Sequence, residues 1–147
     1  MRKRLAITAG AATLVAAMAI PMFATGATQI TARMDGDQIV NPNGGDPDGT
    51  AKLSLRVNRV KQRICFRLTF RNLNQVTGAF IHKGSAGQIA RPIITLFNTR
   101  ETSPVVQCEH NIRSRLIKRL KRKPALHYAD VDTKGYPNGA VRGQLAR

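Results

Sequence analysis

The segment YADVDTKGYPNGAVRGQL, from Tyr128 to Leu145, decides the fold of this chain. It contains two short stretches with strand character, residues 126–132 and 140–146. Between them, residues 134–139 are mostly turn formers and end in Asn-Gly, a dipeptide typical of tight β-turns. The segment therefore predicts a β-hairpin.

The second strand of this hairpin has one apolar and one polar side. Val141 and Leu145 share the side that we expect to face a core. Arg142 and Gln144 share the opposite side, where they are available for polar pairing. Gly143 permits a close backbone contact. The pattern is best explained by folding.

Further strands precede the hairpin. Residues 50–60 alternate between apolar and polar side chains, and residues 63–71 do so more sharply. We expect Ile64, Phe66, Leu68 and Phe70 in the core, with arginines in water. The remaining strand candidates are residues 76–82, 92–97 and 104–108.

One helix is predicted over residues 112–123. Its apolar residues have helical spacing, and Pro124 stops it. Seven cations accompany them: Arg113, Arg115, Lys118, Arg119, Lys121, Arg122 and Lys123. The segment either binds a polyanion or anionic membrane surface, or is a solvated helix face covering one end of the fold. It lacks the interleaved aromatics of a specific nucleic-acid interface.

These elements predict the fold class. Seven or eight short strands, one helix and no βαβ alternation indicate an all-β protein. We expect an antiparallel Greek-key β-sandwich or flattened barrel with one short amphipathic helix.

The N-terminal residues 1–27 have the pattern of a cleaved signal peptide. Three basic residues precede an apolar run at residues 5–20, and small residues follow at 24–27. An uncleaved membrane anchor is the alternative. We assign residues 28–49 to an N-terminal strand and turn-rich loop, and residues 50–147 to the core of the same domain.

The loop within residues 28–49 holds half of the acidic residues. A short strand is expected at residues 38–40, followed by a run of turn formers. Carboxylates on such a loop either hold Ca²⁺ or bond their own backbone, and the spacing does not match an EF-hand. They are Asp35, Asp37, Asp46 and Asp48.

The charge of the exported chain points to anionic partners. Removing Arg2, Lys3 and Arg4 from the 24 Lys and Arg residues and setting the rest against 8 Asp and Glu leaves a formal charge of +13. Such a surface attracts polyanions over a long range. Outside a cell these are anionic wall polymers, acidic polysaccharides or lipid head groups.

Cys65 and Cys108 are the two cysteines of the chain. In an exported protein they predict one disulfide, worth about 4 kcal/mol by loop entropy. A reactive redox thiol is the alternative, but the CxxC spacing is missing.

Two segments carry a resemblance to a known family. FIHKG at residues 80–84 and the segment at residues 128–145 resemble the signature segments of the chordin-like (CHRD) domain of the secreted bacterial type. The matching residues of the second segment are Tyr128, Val131, Thr133, Pro137, Gly139, Arg142, Gly143, Gln144 and Leu145. The resemblance extends from about residue 50 to residue 145 and implies the same β architecture. The fold is also remotely similar to the Greek-key sandwich of copper/zinc superoxide dismutase.

The resemblance implies a cluster at the family's histidine positions. The family pattern has three histidines, whereas this chain has Phe80, His82 and Asp132 there. One imidazole and one carboxylate are too few for a tight metal site, so we expect neither metal nor cofactor. We expect His82 to pair with Asp132, and Arg142 to pair with Asp130 or Asp132. Asp130 and Asp132 also resemble the paired carboxylates of a glycosidase, although ion pairs are the simpler interpretation.

The predicted function is that of a secreted, extracellular or cell-surface module. We expect a monomer without catalytic residues that binds or organises anionic surface polymers. The alternative is a metal-dependent oxidoreductase related to copper/zinc superoxide dismutase.

Overall fold

The structure, a computed structural model, describes residues 27–147. All but the last residue of the predicted signal peptide lies outside the described residues. Within the described part, no helix has the length and apolar character needed to cross a membrane.

Eight strands and one α-helix make up this part of the chain. The strands are β1 (Thr28–Asp35), β2 (Thr50–Asn58), β3 (Arg63–Arg71), β4 (Val76–Lys83), β5 (Pro92–Phe97), β6 (Val105–Glu109), β7 (His127–Thr133) and β8 (Val141–Gln144). The helix is α1 (Ser114–Arg122), and short 3₁₀ turns lie at Gly36–Gln38 and Pro124–Leu126.

All strands belong to one antiparallel sheet with the order β5-β4-β7-β8-β1-β2-β3-β6. The edge strands β5 and β6 are joined by residues 98–104, which extend to at most about 25 Å. The sheet therefore curls until its edges approach each other and forms a nearly closed barrel. The predicted all-β fold with a single helix is confirmed.

The inner side of this sheet is the hydrophobic core. Ile64, Phe66 and Leu68 of β3 are almost fully buried, and Phe70 packs against the core from its edge, as predicted. The Phe66 ring stacks on Phe97 of β5 with 6.4 Å between ring centroids. Because β3 is the neighbour of edge strand β6 and β5 is the opposite edge strand, this contact joins the two edges of the curled sheet on its inner side.

The first strand was missed by the sequence prediction. The predicted strand at residues 38–40 is wrong, because Gly36–Gln38 forms a 3₁₀ turn that the Asp35 carboxylate caps through Gln38 N–H. β1 lies before it, between β8 and β2, and buries Ile30, Ala32 and Met34. The sheet thus begins at Thr28, and the domain core includes residues assigned to the N-terminal segment.

Helix α1 lies within the predicted range and covers part of the core. Ile117 and Leu120 are fully buried, and the helix contacts β2. Lys123 N–H bonds Arg119 O at the C-terminal end, and Pro124 starts the following turn.

Cys65 and Cys108 form a disulfide, as predicted. They lie directly opposite each other on β3 and β6, with 3.9 Å between their Cα atoms. The bond therefore fixes edge strand β6 to the rest of the sheet.

Candidate functional site

The outer side of strands β4, β7 and β8 carries a row of polar and aromatic side chains. Their alternate neighbours, such as Ile81, Val131 and Val141, are buried in the core. Register places His82 opposite Tyr128 and Asp130 opposite Arg142. The outward residues are Phe80, His82, Tyr128, Asp130, Asp132, Arg142 and Gln144.

His82 is bonded at both ring nitrogens. Nδ1 lies 2.8 Å from Ala90 O, and Nε2 lies 2.9 Å from Asp130 Oδ1. Both partners are acceptors, so the doubly protonated imidazolium suits the site best. Burial lowers the pKa of His82, but the hydrogen bond and charge of Asp130, the Ala90 carbonyl and the charge of Asp132 together raise it, and the net pKa is raised. His82 and Asp130 form an ion pair.

Tyr128 is the centre of a stack. The His82 ring lies parallel to it, with 4.6 Å between centroids and 4° between planes. The Arg142 guanidinium carbon lies 3.5 Å from the Tyr128 ring centroid, a cation–π distance. Tyr128 OH accepts from Ala90 N–H at 3.1 Å. The stack thus holds Ala90 against the sheet.

Arg142 serves the loop that follows β4 rather than the carboxylates. Its guanidinium donates to Gln88 O at 2.7 Å, to Ser85 O at 3.1 Å and to Gln144 Oε1 at 3.3 Å. The expected ion pair of Arg142 with Asp130 or Asp132 is wrong, since the salt bridge found within residues 27–147 is His82–Asp130. The guanidinium N–H groups of Arg142 donate to the loop carbonyls instead.

Gln144 continues this anchoring. Its Nε2 lies within hydrogen-bond distance of Gly84 O, Ala125 O and His127 O. Leu145 next to it is buried in the core. The RGQL segment therefore ties the loop after β4 to the barrel.

Asp132 lies opposite Gly78. On β7 it is two residues from Asp130, on the same side of the sheet as the His82–Asp130 pair. The expected His82–Asp132 pair is wrong in its partner, because Asp130 takes the imidazole. Burial raises the pKa of Asp132 to about 7, and the Asp130 charge adds to the rise. At neutral pH this carboxyl is partly protonated.

A cleft of about 570 Å³ opens above these residues, and we call it the outer cleft. Its floor includes Phe80, His82, Tyr128, Asp130, Asp132 and Arg142. Its walls come from three loops, which contribute residues 39–43, residues 89–90 and residues 137–138. All four members of the predicted polar cluster line it.

Metal ligands are scarce in this arrangement. Within residues 27–147, no group of three or more His, Cys, Asp or Glu side chains could hold a metal ion. In the acidic loop, Asp46 Oδ1 accepts from the N–H groups of Asp48 and Gly49. Asp46, like Asp35, therefore bonds a turn of its own loop.

A second concave surface of about 470 Å³ lies beside α1, and we call it the basic groove. It combines five of the predicted helix cations with three residues that sequence reasoning missed. Lys83, at the end of β4, lies opposite His127 because of the β4–β7 register. No local pattern reveals this neighbour. The lining residues are Lys83, Arg115, Lys118, Arg119, Arg122, Lys123, Leu126 and His127.

His127 lies buried in this groove. Its Nδ1 lies 3.0 Å from Lys123 O and donates to it, which leaves Nε2 unprotonated in the neutral ring. Burial lowers the pKa of His127, and the charges of Lys83 and Arg119 act in the same direction. Arg113 and Lys121, also in the predicted basic set, do not line the groove.

The chain belongs to the CHRD domain family, whose model matches residues 30–145. This match includes most of β1 and ends at Leu145, the end of the segment that anchors the loop after β4. No curated protein and no solved structure matches the chain. CHRD domains occur in extracellular proteins, and membership suggests an extracellular binding or structural module. The disulfide is consistent with an oxidising compartment.

Proposed function

We propose that this CHRD domain is exported through its signal peptide and acts as a monomeric extracellular module that binds anionic surface polymers. The observation that carries the proposal is the basic groove. Two elements distant in sequence, β4 and α1, supply cations to one concave surface.

The charge of the groove is of one sign. Six Lys and Arg residues line it, and no Asp or Glu is among its lining residues. Most of these cations lie on the solvent side of α1, whose other side is anchored by Ile117 and Leu120. The positive charges are therefore held on a fixed scaffold. This reduces the conformational entropy that is lost when a polymer binds.

A repeating anion suits this surface better than a single small one. Cations spread along a helix can neutralise successive phosphates or carboxylates of a chain, and each contact releases condensed counterions. Affinity then depends mainly on charge density and salt. The proposed ligands are wall polymers with phosphate groups, or acidic polysaccharides.

The test measures binding of the protein to glycerol-phosphate teichoic acid, polygalacturonate and phosphatidylglycerol vesicles from about 50 to 500 mM NaCl. We expect saturable binding to at least one of the two polymers, weakening steeply with salt. A groove variant should reduce the slope of log K against log salt by about one per lost contact. It carries Lys83→Gln, Lys118→Gln, Arg119→Gln and Arg122→Gln.

A matched control removes the same charge elsewhere. This control variant replaces four exposed cations of the β2–β3 hairpin. It carries Arg56→Gln, Arg59→Gln, Lys61→Gln and Arg67→Gln. The control should keep most of the affinity. Equal losses in both variants would show that net charge, not the groove, determines binding. Failure of both polymers to bind would overturn the proposal.

A further inference from the structure

The outer cleft is separate from the basic groove and shares no lining residue with it. Its volume of about 570 Å³ is within the range of small-ligand sites. The loop after β4, which forms one wall, is held by Arg142 and Tyr128. The cleft is therefore a built feature of the fold.

The charges inside the outer cleft nearly cancel. Asp130 is paired with the imidazolium of His82, and Arg142 faces loop carbonyls close to the same floor. Asp132 adds a carboxyl that is partly neutral. An anion would meet two carboxylates, and a cation would meet His82 and Arg142. Although the chain as a whole is strongly cationic, this cleft suits an uncharged ligand.

Phe80 supplies an aromatic surface next to Asp132. A Cβ on Gly78 would lie 2.8 Å from Phe80 Cε2, so the ring lies directly over the bare backbone of Gly78. Gly78 is the register partner of Asp132. The half-buried Phe80 ring therefore lies beside the carboxyl, on the same side of the sheet.

Polar groups that can bond a ligand line the same cleft as the Phe80 ring. Within residues 27–147, Asp132 has a backbone hydrogen bond from Gly139 but none from a side chain, and the side-chain amides of Asn43 and Asn138, which line the same cleft, make no hydrogen bond. A ligand for this floor needs several hydroxyl groups and one apolar face. Sugar rings have both, since their C–H faces pack on aromatic rings while their hydroxyls bond carboxylates and amides.

We propose that the outer cleft binds an uncharged sugar unit of a saccharide, with one face on Phe80 and hydroxyls donating to Asp132 and Asp130. This site is independent of polyanion binding at the groove. Its affinity arises from stacking and neutral hydrogen bonds, so salt has little effect on it.

The probes are four uncharged pentasaccharides: maltopentaose, cellopentaose, xylopentaose and chitopentaose. Amide chemical shifts of the protein are followed during each titration. We expect at least one probe to shift the amides of Gly78, Phe80 and Asp132 saturably, with equal affinity at 50 and 500 mM NaCl. The groove variant should bind that probe like the wild type, which separates the two sites.

Substitutions then locate the contacts. Phe80→Ala should weaken binding at least tenfold, while Phe80→Tyr keeps the ring and most of the affinity. Asp132→Ala should weaken binding about fivefold or more, and Asp48→Ala, in the exposed loop, should change nothing. Amide spectra without ligand establish that each variant is folded.

Three results would overturn the proposal. The first is that none of the four saccharides shifts the cleft amides. The second is unchanged affinity in both Phe80→Ala and Asp132→Ala. The third is that spermidine occupies the cleft while the saccharides do not, which would make it a cation site.

Discussion

At Asp132, two unfavourable effects act on a single carboxyl group. Burial removes water from the charged form, and the neighbouring Asp130 carboxylate repels it. The imidazolium of His82 opposes both effects but is bonded to Asp130. The pKa of Asp132 consequently rises to about 7, and the folded state binds a proton that the unfolded chain releases near pH 4.

This raised pKa predicts the effect of Asp132→Asn on stability. A carboxyl with a raised folded pKa contributes stability that is present below about pH 4 and lost as pH rises to about 7. Asparagine cannot ionise, so the variant should melt about 3 °C above the wild type at pH 8. That shift corresponds to about 1 kcal/mol after solvent screening of a partly exposed group.

Thermal unfolding at pH 4 and pH 8 checks this prediction. The two proteins should melt at nearly the same temperature at pH 4. Asp48→Asn, in an exposed loop, is the control and should follow the wild type at both pH values. A variant less stable than the wild type at pH 8 would contradict the argument.

The sequence predicts on which side of its strand each residue of the site lies, but it does not predict the hydrogen-bond partner of that residue. Alternation places Asp130 and Asp132 on one side of β7, and His82 belongs to a strand that the resemblance sets nearby. The choice between Asp130 and Asp132 depends on the β4–β7 register, which a two-residue shift would change. The sequence pairs Arg142 with a carboxylate, because the loop carbonyls that it binds lie more than 50 positions away.

Between elements, β8 approaches β1 closely at Gly143. A Cβ on Gly143 would lie 2.0 Å from Arg33 O and 2.7 Å from Arg33 C. Both atoms are backbone, so they cannot rotate away as a side chain would. Glycine at this position therefore lets β1 pack against the RGQL segment.

Gly143→Ala should destabilise the protein by about 3 kcal/mol or more, at or beyond the upper end of the usual overpacking cost. Urea unfolding measures the loss. Gly135→Ala is the matched control, because a Cβ there meets nothing within 4 Å. Equal stability of the two variants would show that β1 can move away from β8 at little cost.

Strands with strong alternation were predicted well, and β1 was not. β3 runs over Arg63–Arg71 as expected, because large apolar residues alternate with arginines. β1 has Ile30, Ala32 and Met34 at alternate positions, but the small Ala32 between the two large residues and a following run of turn formers obscure the period. Its pairing with β2 and β8 supplies the burial that local sequence does not indicate.

Across the whole molecule, positive charge is poorly compensated. The chain has 24 Lys and Arg residues against 8 Asp and Glu. Within residues 27–147, the salt bridge found is His82–Asp130, in which no Lys or Arg takes part. Most cations lie on the surface, where they repel one another and oppose the compact state.

This self-repulsion predicts that salt stabilises the fold. Raising NaCl from about 10 to about 200 mM shortens the screening length to below 10 Å and weakens the repulsion. The melting temperature should rise by about 3 °C, equivalent to about 1 kcal/mol. The control variant of the β2–β3 hairpin, with four cations replaced by glutamine, should show a clearly smaller rise because less repulsion remains to be screened. An unchanged or lower melting temperature in salt would mean that the surface cations are already compensated, and the polyanion proposal would lose its electrostatic basis.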